Sequence, residues 1–337
     1  MTNDGPQDEI LHGEEAIVRL LAPLALGFPG AFGLQDDCAL IAPEPGCELV
    51  LKTDPVAEGV HFLPGDAPED IAWKALAVNV SDLAAKAARP VGYLMALSFP
   101  EAPTRAWVSR FVSGLDAAQR AFGCHLVGGD TDRRPGPLTV AISIVGAVET
   151  GHMVRRGTAG AGDALLVSGT LGDAALGLAL RKEPRLAKVW GLSSAEAQHL
   201  RRRYARPEPR LALAAALRAQ ASAAMDLSDG LAKDLGRLCA ASACAAHVRL
   251  ADLPLSAGAA KALAADPTLD RHIVAGGDDY EVLASVPGQK VPAFQAMAAA
   301  SGVVTTRIGA TSVGAGILIE GRDGRPLSLE RPGWDHF

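Results

Sequence analysis

Six short stretches of this chain lead an apolar run into aspartate, most of them among Gly, Ser or Thr. They read Leu34-Gln35-Asp36-Asp37, Leu49-Val50-Leu51-Lys52-Thr53-Asp54, Val78-Asn79-Val80-Ser81-Asp82 and Leu126-Val127-Gly128-Gly129-Asp130 in the first half. Met225-Asp226-Leu227-Ser228-Asp229-Gly230 and Ile273-Val274-Ala275-Gly276-Gly277-Asp278-Asp279-Tyr280-Glu281 follow in the second. A carboxylate at the end of a buried element is costly unless a cation meets it there. Any single aspartate of this kind reads as a helix cap or turn residue. Asp132, Asp163 and Asp252 are read in that structural way. Six such runs, from end to end, point to one acidic pocket built around hard cations.

The donor chemistry narrows the cation. Histidine is scarce near the acidic runs and no thiolate cluster exists, which disfavours zinc and copper. Oxygen ligands select Mg²⁺, Mn²⁺ or Ca²⁺, and the calcium-loop spacing with its closing glutamate is absent. Magnesium ordinarily rests on one or two carboxylates and completes its shell with substrate phosphates, so scattered aspartates suit several Mg²⁺ ions on a polyphosphate. Asp229-Gly230-Leu231 opens a helix, where Ser228 can offer its hydroxyl and N–H to an anion. The usual nucleotide-binding glycine motifs and the kinase catalytic loop are missing. Phosphoryl transfer here would rest on metals and alignment, which suffices for a loose, in-line transition state.

These residues need elements to hold them. Glu14 to Leu24 reads as an amphipathic helix with Ile17, Leu20, Leu21 and Leu24 on one face. Cys47 to Thr53 reads as a strand delivering Asp54. A helix from Pro68 carries Trp73, Leu76 and Leu83 and stops before Pro90. Tyr93–Ser98 and Leu138–Val148 are strands, and Thr104–Phe122 is a helix closed by Gly123. Further on, Ala164–Ser168 is a strand, Gly169-Thr170-Leu171-Gly172-Asp173 a turn into a helix, and Met225–Gly230 a turn. Leu231, Leu235 and Leu238 give the following helix an apolar stripe, and His247–Leu250, Tyr280–Val286 and Val303–Ile308 are strands. Glu149–Gly162, rich in Gly and Arg, marks a boundary between residues 1–150 and 151–337. A cleft between two α+β domains is the expected site.

Composition excludes other classes. The 337 residues are 49% hydrophobic and 21% charged, an ordinary globular balance sized for about two domains. Aromatics are 4% and the net charge is −6, which argues against a nucleic-acid surface. Arg201-Arg202-Arg203 reads as a solvated helix face. No run is long enough to span a membrane, and Met1–Glu9 is polar and acidic, unlike a secretory leader. Five cysteines with no Cys-x-x-Cys pair fit reduced thiols in a cytoplasmic protein.

The succession Asp36-Asp37-Cys38-Ala39-Leu40, Thr53-Asp54, Gly59-Val60-His61-Phe62 and Ala77 through Ala85 resembles bacterial thiamine-monophosphate kinases. So do Gly128-Gly129-Asp130-Thr131, Met225 through Leu231, Gly276 through Glu281 and the terminal Trp334-Asp335-His336-Phe337. The resemblance implies a two-domain α+β fold like that of aminoimidazole ribonucleotide synthetase, and a homodimer whose N-terminal sheets pair. It implies transfer of a phosphoryl group from ATP to thiamine monophosphate, giving thiamine diphosphate, with several Mg²⁺ ions and no phosphoenzyme. By the same resemblance Asp37, Thr53, Asp54, Asp82, Asp130, Asp226 and Asp229 are metal ligands. Gly129, Arg156 and Ser228 are ATP contacts, and His61, Asp278 and Trp334 touch the substrate. Taken alone, Arg156 reads equally well as a solvent-exposed arginine, His61 more readily as a surface histidine, and Trp334 as a cover over the core. The family usually carries glycine at position 35, serine at 52 and glutamate at 278, where this chain has Gln35, Lys52 and Asp278. Two alternatives stand beside this reading: an aminoimidazole ribonucleotide synthetase-like enzyme, and a non-catalytic Mg²⁺-nucleotide-binding protein.

Overall fold

The computed structural model describes residues 9–335, so Met1–Asp8 and the His336-Phe337 end of the terminal motif lie outside the described residues. The chain divides into two units, one of residues 1–83 and 89–151, the other of residues 84–88 and 152–337.

The first unit runs α1 (Glu14–Leu21), β1 (Cys47–Ala57), α2 (Pro68–Ala85), β2 (Arg89–Phe99), α3 (Arg105–Phe122), β3 (His125–Arg133) and β4 (Thr139–Glu149). Its four strands form one mixed sheet in the order β1-β4-β2-β3, so β1 and β3 are opposite edges. Pro55 is tolerated in β1 because that strand is an edge. The helix over 14–24 ends sooner than its periodicity suggests: Pro23 cannot continue it, and Ala22–Ala25 tightens into a 3₁₀ turn that still buries Leu24. Helix α3 starts on Thr104, whose hydroxyl accepts the N–H of Trp107, and stops at left-handed Gly123. It stacks Trp107 on Phe111, and its Phe122 meets Trp73 of α2 edge-on.

The second unit contains β5 (Ala164–Ser168), α4 (Asp173–Lys182), α5 (Leu186–Val189), α6 (Ser194–Ala205), α7 (Ala214–Gln220), β6 (Ala223–Asp226) and α8 (Leu231–Ser242). It continues through β7 (Ala245–Arg249), α9 (Ala257–Ala265), α10 (Leu269–Ala275), β8 (Val282–Val286), α11 (Val291–Ala300), β9 (Thr305–Ser312) and β10 (Gly316–Glu320). The six strands line up as β10-β7-β9-β5-β8-β6. Alternate residues of β5 serve two separate cores. Leu165 and Val167 join Leu176, Leu235, Leu238 and Ile273 on one face, whereas Ala164 and Leu166 join Leu217 and Phe294 on the other. With both faces covered, the strand reads as a continuous apolar run rather than an alternation.

Several aspartates are not at strand ends. Ladder pairing carries β1 on to Ala57 and β3 on to Arg133, which places Asp54 and Asp130 inside their strands. Asp82 lies within the last turns of α2. Met225 and Asp226, expected in a turn, close strand β6, because their backbone pairs with Leu283 and Val282 of β8.

Candidate active site

In the first unit, strand alternation decides what can meet. Lys52, Asp54 and buried Val56 share one face of β1, and Asp82 of α2 is reached from that face. The Lys52 ammonium lies 3.0 Å from Asp54 Oδ2 and 2.8 Å from Asp82 Oδ2, so one cation joins two of the expected metal ligands. Burial pulls the Lys52 pKa down, but Asp82 and then Asp54 outweigh it and hold the group well above its ordinary value. Fully buried Asn79, three residues before Asp82, donates to the carbonyls of Ala75 at 3.0 Å and Asp54 at 3.4 Å. Its Oδ1 has no hydrogen-bond partner.

The open face and the far edge carry the other candidates. Thr53 points away from Asp54: its hydroxyl donates to Ile142 O and accepts from Ser143 Oγ, both at 3.0 Å. A share by Thr53 in the ion of Asp54 would therefore use its main-chain carbonyl. One register row runs Asp54–Ile142–Met95–Gly129, and the next runs Pro55–Ala141–Ala96–Asp130. Asp54 and Asp130 are thus three strand spacings apart, about 14 Å, too far for one ion within one chain. Gly129 has a packing reason of its own, since a Cβ there would lie 1.9 Å from Met95 O. Asp37 is exposed in the bend after the Pro29–Leu34 3₁₀ segment, and no described contact joins it to the other aspartates. His61 accepts the Ala57 N–H on Nδ1 at 3.1 Å, which leaves Nε2 to carry the proton of the neutral ring. Buried Lys74 holds that turn by donating to His61 O at 2.7 Å.

In the second unit, the two late motifs form one platform. Tyr280 N–H donates to Leu227 O, Leu227 N–H to Glu281 O, and Asp278 N–H to Ser228 O, at 2.8, 2.8 and 2.9 Å. The approach is so close that a Cβ at Gly277 would lie 2.4 Å from Ser228 O. Asp226, Ser228, Asp229 and Asp278 are therefore neighbours by backbone pairing. Asp278 itself takes a left-handed backbone, φ 73°. Trp334, half exposed, is tied on by its N–H to Asp229 O at 3.0 Å, while Lys233 Nζ donates to its carbonyl. Asp229 also pairs with Arg237 at 2.6 Å. Arg156 is exposed on a loop, with its carbonyl held by Ser242 Oγ.

Sequence reading missed the groups that stiffen this platform. Buried Asp234 accepts the N–H groups of Ser228 and Asp229 on one oxygen, at 3.0 and 2.9 Å, and Arg237 on the other. Burial pushes its pKa up to about 6 against the pull of those N–H donors. Its spacing from the helix start matches no capping box, so the pattern rule passes over it. Glu281, fully buried, accepts Ser168 Oγ, Arg203 at 2.8 Å and Arg210 at 2.7 Å. Arg203 is accordingly buried rather than part of a solvated arginine face, because its charge is met from beneath. Asp163 is structural as expected, taking the Gly160 N–H and the Ser285 and Ser222 hydroxyls.

The donors are oxygens, the type Mg²⁺ takes, and no three or more His, Cys, Asp or Glu side chains among the described residues form a ready cage. A Mg²⁺ ion would rest here on one or two carboxylates with water and phosphate completing its shell, and the residues fit that mode.

Two family models match this arrangement: AIR synthase related protein, N-terminal domain, over residues 35–148, and AIR synthase related protein, C-terminal domain, over 160–318. Fold and site thus define an AIR-synthase-related protein. The thiamine-monophosphate kinase of Caulobacter vibrioides is 41% identical over 325 residues, 95% of this chain and 89% of that protein. The crystal structure of thiamine-monophosphate kinase from Stenotrophomonas maltophilia K279a matches with a TM-score of 0.82 at 38% identity, over 93% of this chain and 97% of that one. AaThiL complexed with AMPPCP and TMP matches with a TM-score of 0.76 at 30% identity, over 96% and 97%. The chain belongs to the thiamine-monophosphate kinase family, and it is an enzyme.

Proposed function

We propose that this chain transfers the γ-phosphoryl group of ATP directly to the phosphate of thiamine monophosphate, giving thiamine diphosphate. The observation that carries the reading is the platform on which Asp226, Ser228, Asp229 and Asp278 are locked together by main-chain hydrogen bonds. The pairing of this chain with a relative solved with AMPPCP and TMP supports the same substrates. Asp37, Asp54, Asp82, Asp130, Asp226 and Asp229, with the Thr53 carbonyl, would hold Mg²⁺, which when bound neutralises the polyphosphate. Ser228 offers a hydroxyl to phosphate, and Arg156 brings a fork of donors. Gly129 lets the chain pass close to the nucleotide as it does to β2. His61, Asp278 and Trp334 would contact the thiamine side, where a half-exposed indole suits stacking on a flat ring. The acceptor phosphate is already ionised near pH 7, so no general base is needed.

We further propose a homodimer. Leu51, 73% exposed, together with Leu49 and Leu94, gives the open face of the first sheet an apolar surface. Both sheet edges carry a metal candidate, Asp54 on β1 and Asp130 on β3, and a second copy can supply the one to the other. A cytoplasmic location accords with five free thiols and with the absence, among the described residues, of any helix able to cross a membrane. Incubation with ATP, Mg²⁺ and thiamine monophosphate, followed by chromatography, tests the reading. Thiamine diphosphate is the expected product. Its absence, with consumption of an aminoimidazole precursor instead, would shift the assignment to the synthetase-like alternative, and nucleotide binding without turnover to the non-catalytic one.

A further inference from the structure

The Lys52 ammonium stands where a divalent ion joining Asp54 and Asp82 would have to stand, 3.0 and 2.8 Å from their oxygens. A Mg²⁺ ion needs its carboxylate oxygens at about 2.0–2.1 Å. It cannot share that space with an ammonium group, and two cations a few ångströms apart repel each other. The lysine is not a wandering surface chain. Its side chain is 30% exposed, and it is rooted on the same face of β1 as Asp54, two residues away. Tethering gives it an effective concentration far above that of free Mg²⁺. One helical turn from Asp82, fully buried Asn79 donates to the Asp54 carbonyl at 3.4 Å, and its Oδ1 has no hydrogen-bond partner.

We propose that Lys52 is a resident cation of this site, which takes the place of one divalent ion between Asp54 and Asp82. The inference rests on these two aspartates being cation ligands, as the kinase reading has them. The enzyme then needs one divalent ion fewer per chain, and its metal-free form keeps one of the pair's two negative charges balanced.

Mn²⁺ binding to the metal-free, full-length protein tests this, read by titration calorimetry and by the electron spin resonance of free Mn²⁺. Lys52→Met, of similar length and without charge, is expected to bind one additional Mn²⁺ per chain, or to bind at this pair at least tenfold more tightly than wild type. Lys52→Arg, which keeps the charge, is expected to behave as wild type. Lys52→Met is also expected to melt lower than wild type without metal and to recover with Mn²⁺. Equal Mn²⁺ stoichiometry and affinity in wild type and Lys52→Met, or tighter binding in Lys52→Arg as well, would overturn the inference. A wild-type protein that makes no thiamine diphosphate would instead count against the kinase reading, so the two failures are distinguishable.

Discussion

The carboxylate of Asp279 accepts the main-chain N–H of Gly172 at 2.7 Å, and its other oxygen takes that of Ala174 at 3.3 Å. The loop before β8 thereby caps α4, next to the platform that carries Asp278. Burial is the largest influence on this group and pushes its pKa from an ordinary 3.8 to about 8, with the two N–H donors opposing. Folded protein therefore keeps a proton that the unfolded chain releases. The associated stability is complete below pH about 3.8, declines as pH rises, and is lost above about 8. Asp279→Asn is expected to flatten the fall of melting temperature between pH 5 and 8 relative to wild type. A difference between the two proteins that does not change with pH would contradict this.

Asp234 is the second support. Asp234→Ala leaves the N–H groups of Ser228 and Asp229 without their acceptor, a loss of about 1–3 kcal/mol. The apolar stripe of Leu231, Leu235 and Leu238, each worth about 1.5–3 kcal/mol when buried, keeps α8 folded. The expected result is a folded protein with at least a tenfold higher KM for ATP, whereas Asp234→Asn, which retains one acceptor, falls between.

Gly129→Ala is expected to destabilise the first unit by about 1–3 kcal/mol, because the new Cβ meets the rigid carbonyl of Met95. Gly128→Ala provides the contrast. Its Cβ would meet only the flexible end of Leu94, at 3.0 Å, and should cost less. Urea midpoints of the two variants check the order.

Asp54→Asn and Asp130→Asn are each expected to lower turnover at least a hundredfold with little change in melting temperature, since Asp54→Asn leaves Lys52 paired with Asp82, whereas Lys52→Met leaves two like charges facing each other. If a site takes Asp54 from one copy and Asp130 from the other, mixed dimers of the two variants hold one intact site. A randomised equal mixture should then recover about a quarter of wild-type activity. No recovery after subunit exchange would place both residues in one chain's site.

Much of this was legible in the residues themselves. The Thr104 cap, the Gly123 stop and the leucine stripe of α8 are local signals, and the helices follow them. The six acidic runs located the candidate residues, but not their grouping. Whether Thr53 and Asp54 face the same way depends on strand pairing that extends past Asp54 to Ala57. The separation of Asp54 from Asp130 depends on the strand order, which no local pattern encodes. Lys52, which stands where the family usually carries serine, bridges two aspartates, and one of those contacts is made 30 residues along the chain. Asp234, Asp279 and Glu281 act through buried main-chain or arginine partners, and burial is a property of the assembled unit.

The central claim is direct, metal-dependent transfer between two phosphates, and the fate of a label on the γ-phosphate of ATP tests it most directly. With Mg²⁺ and thiamine monophosphate, the label should appear in the terminal phosphate of thiamine diphosphate, none should remain on the protein after denaturation, and chelation of Mg²⁺ should stop transfer. Label retained on the protein, or released only as inorganic phosphate while thiamine monophosphate is unchanged, would contradict the account.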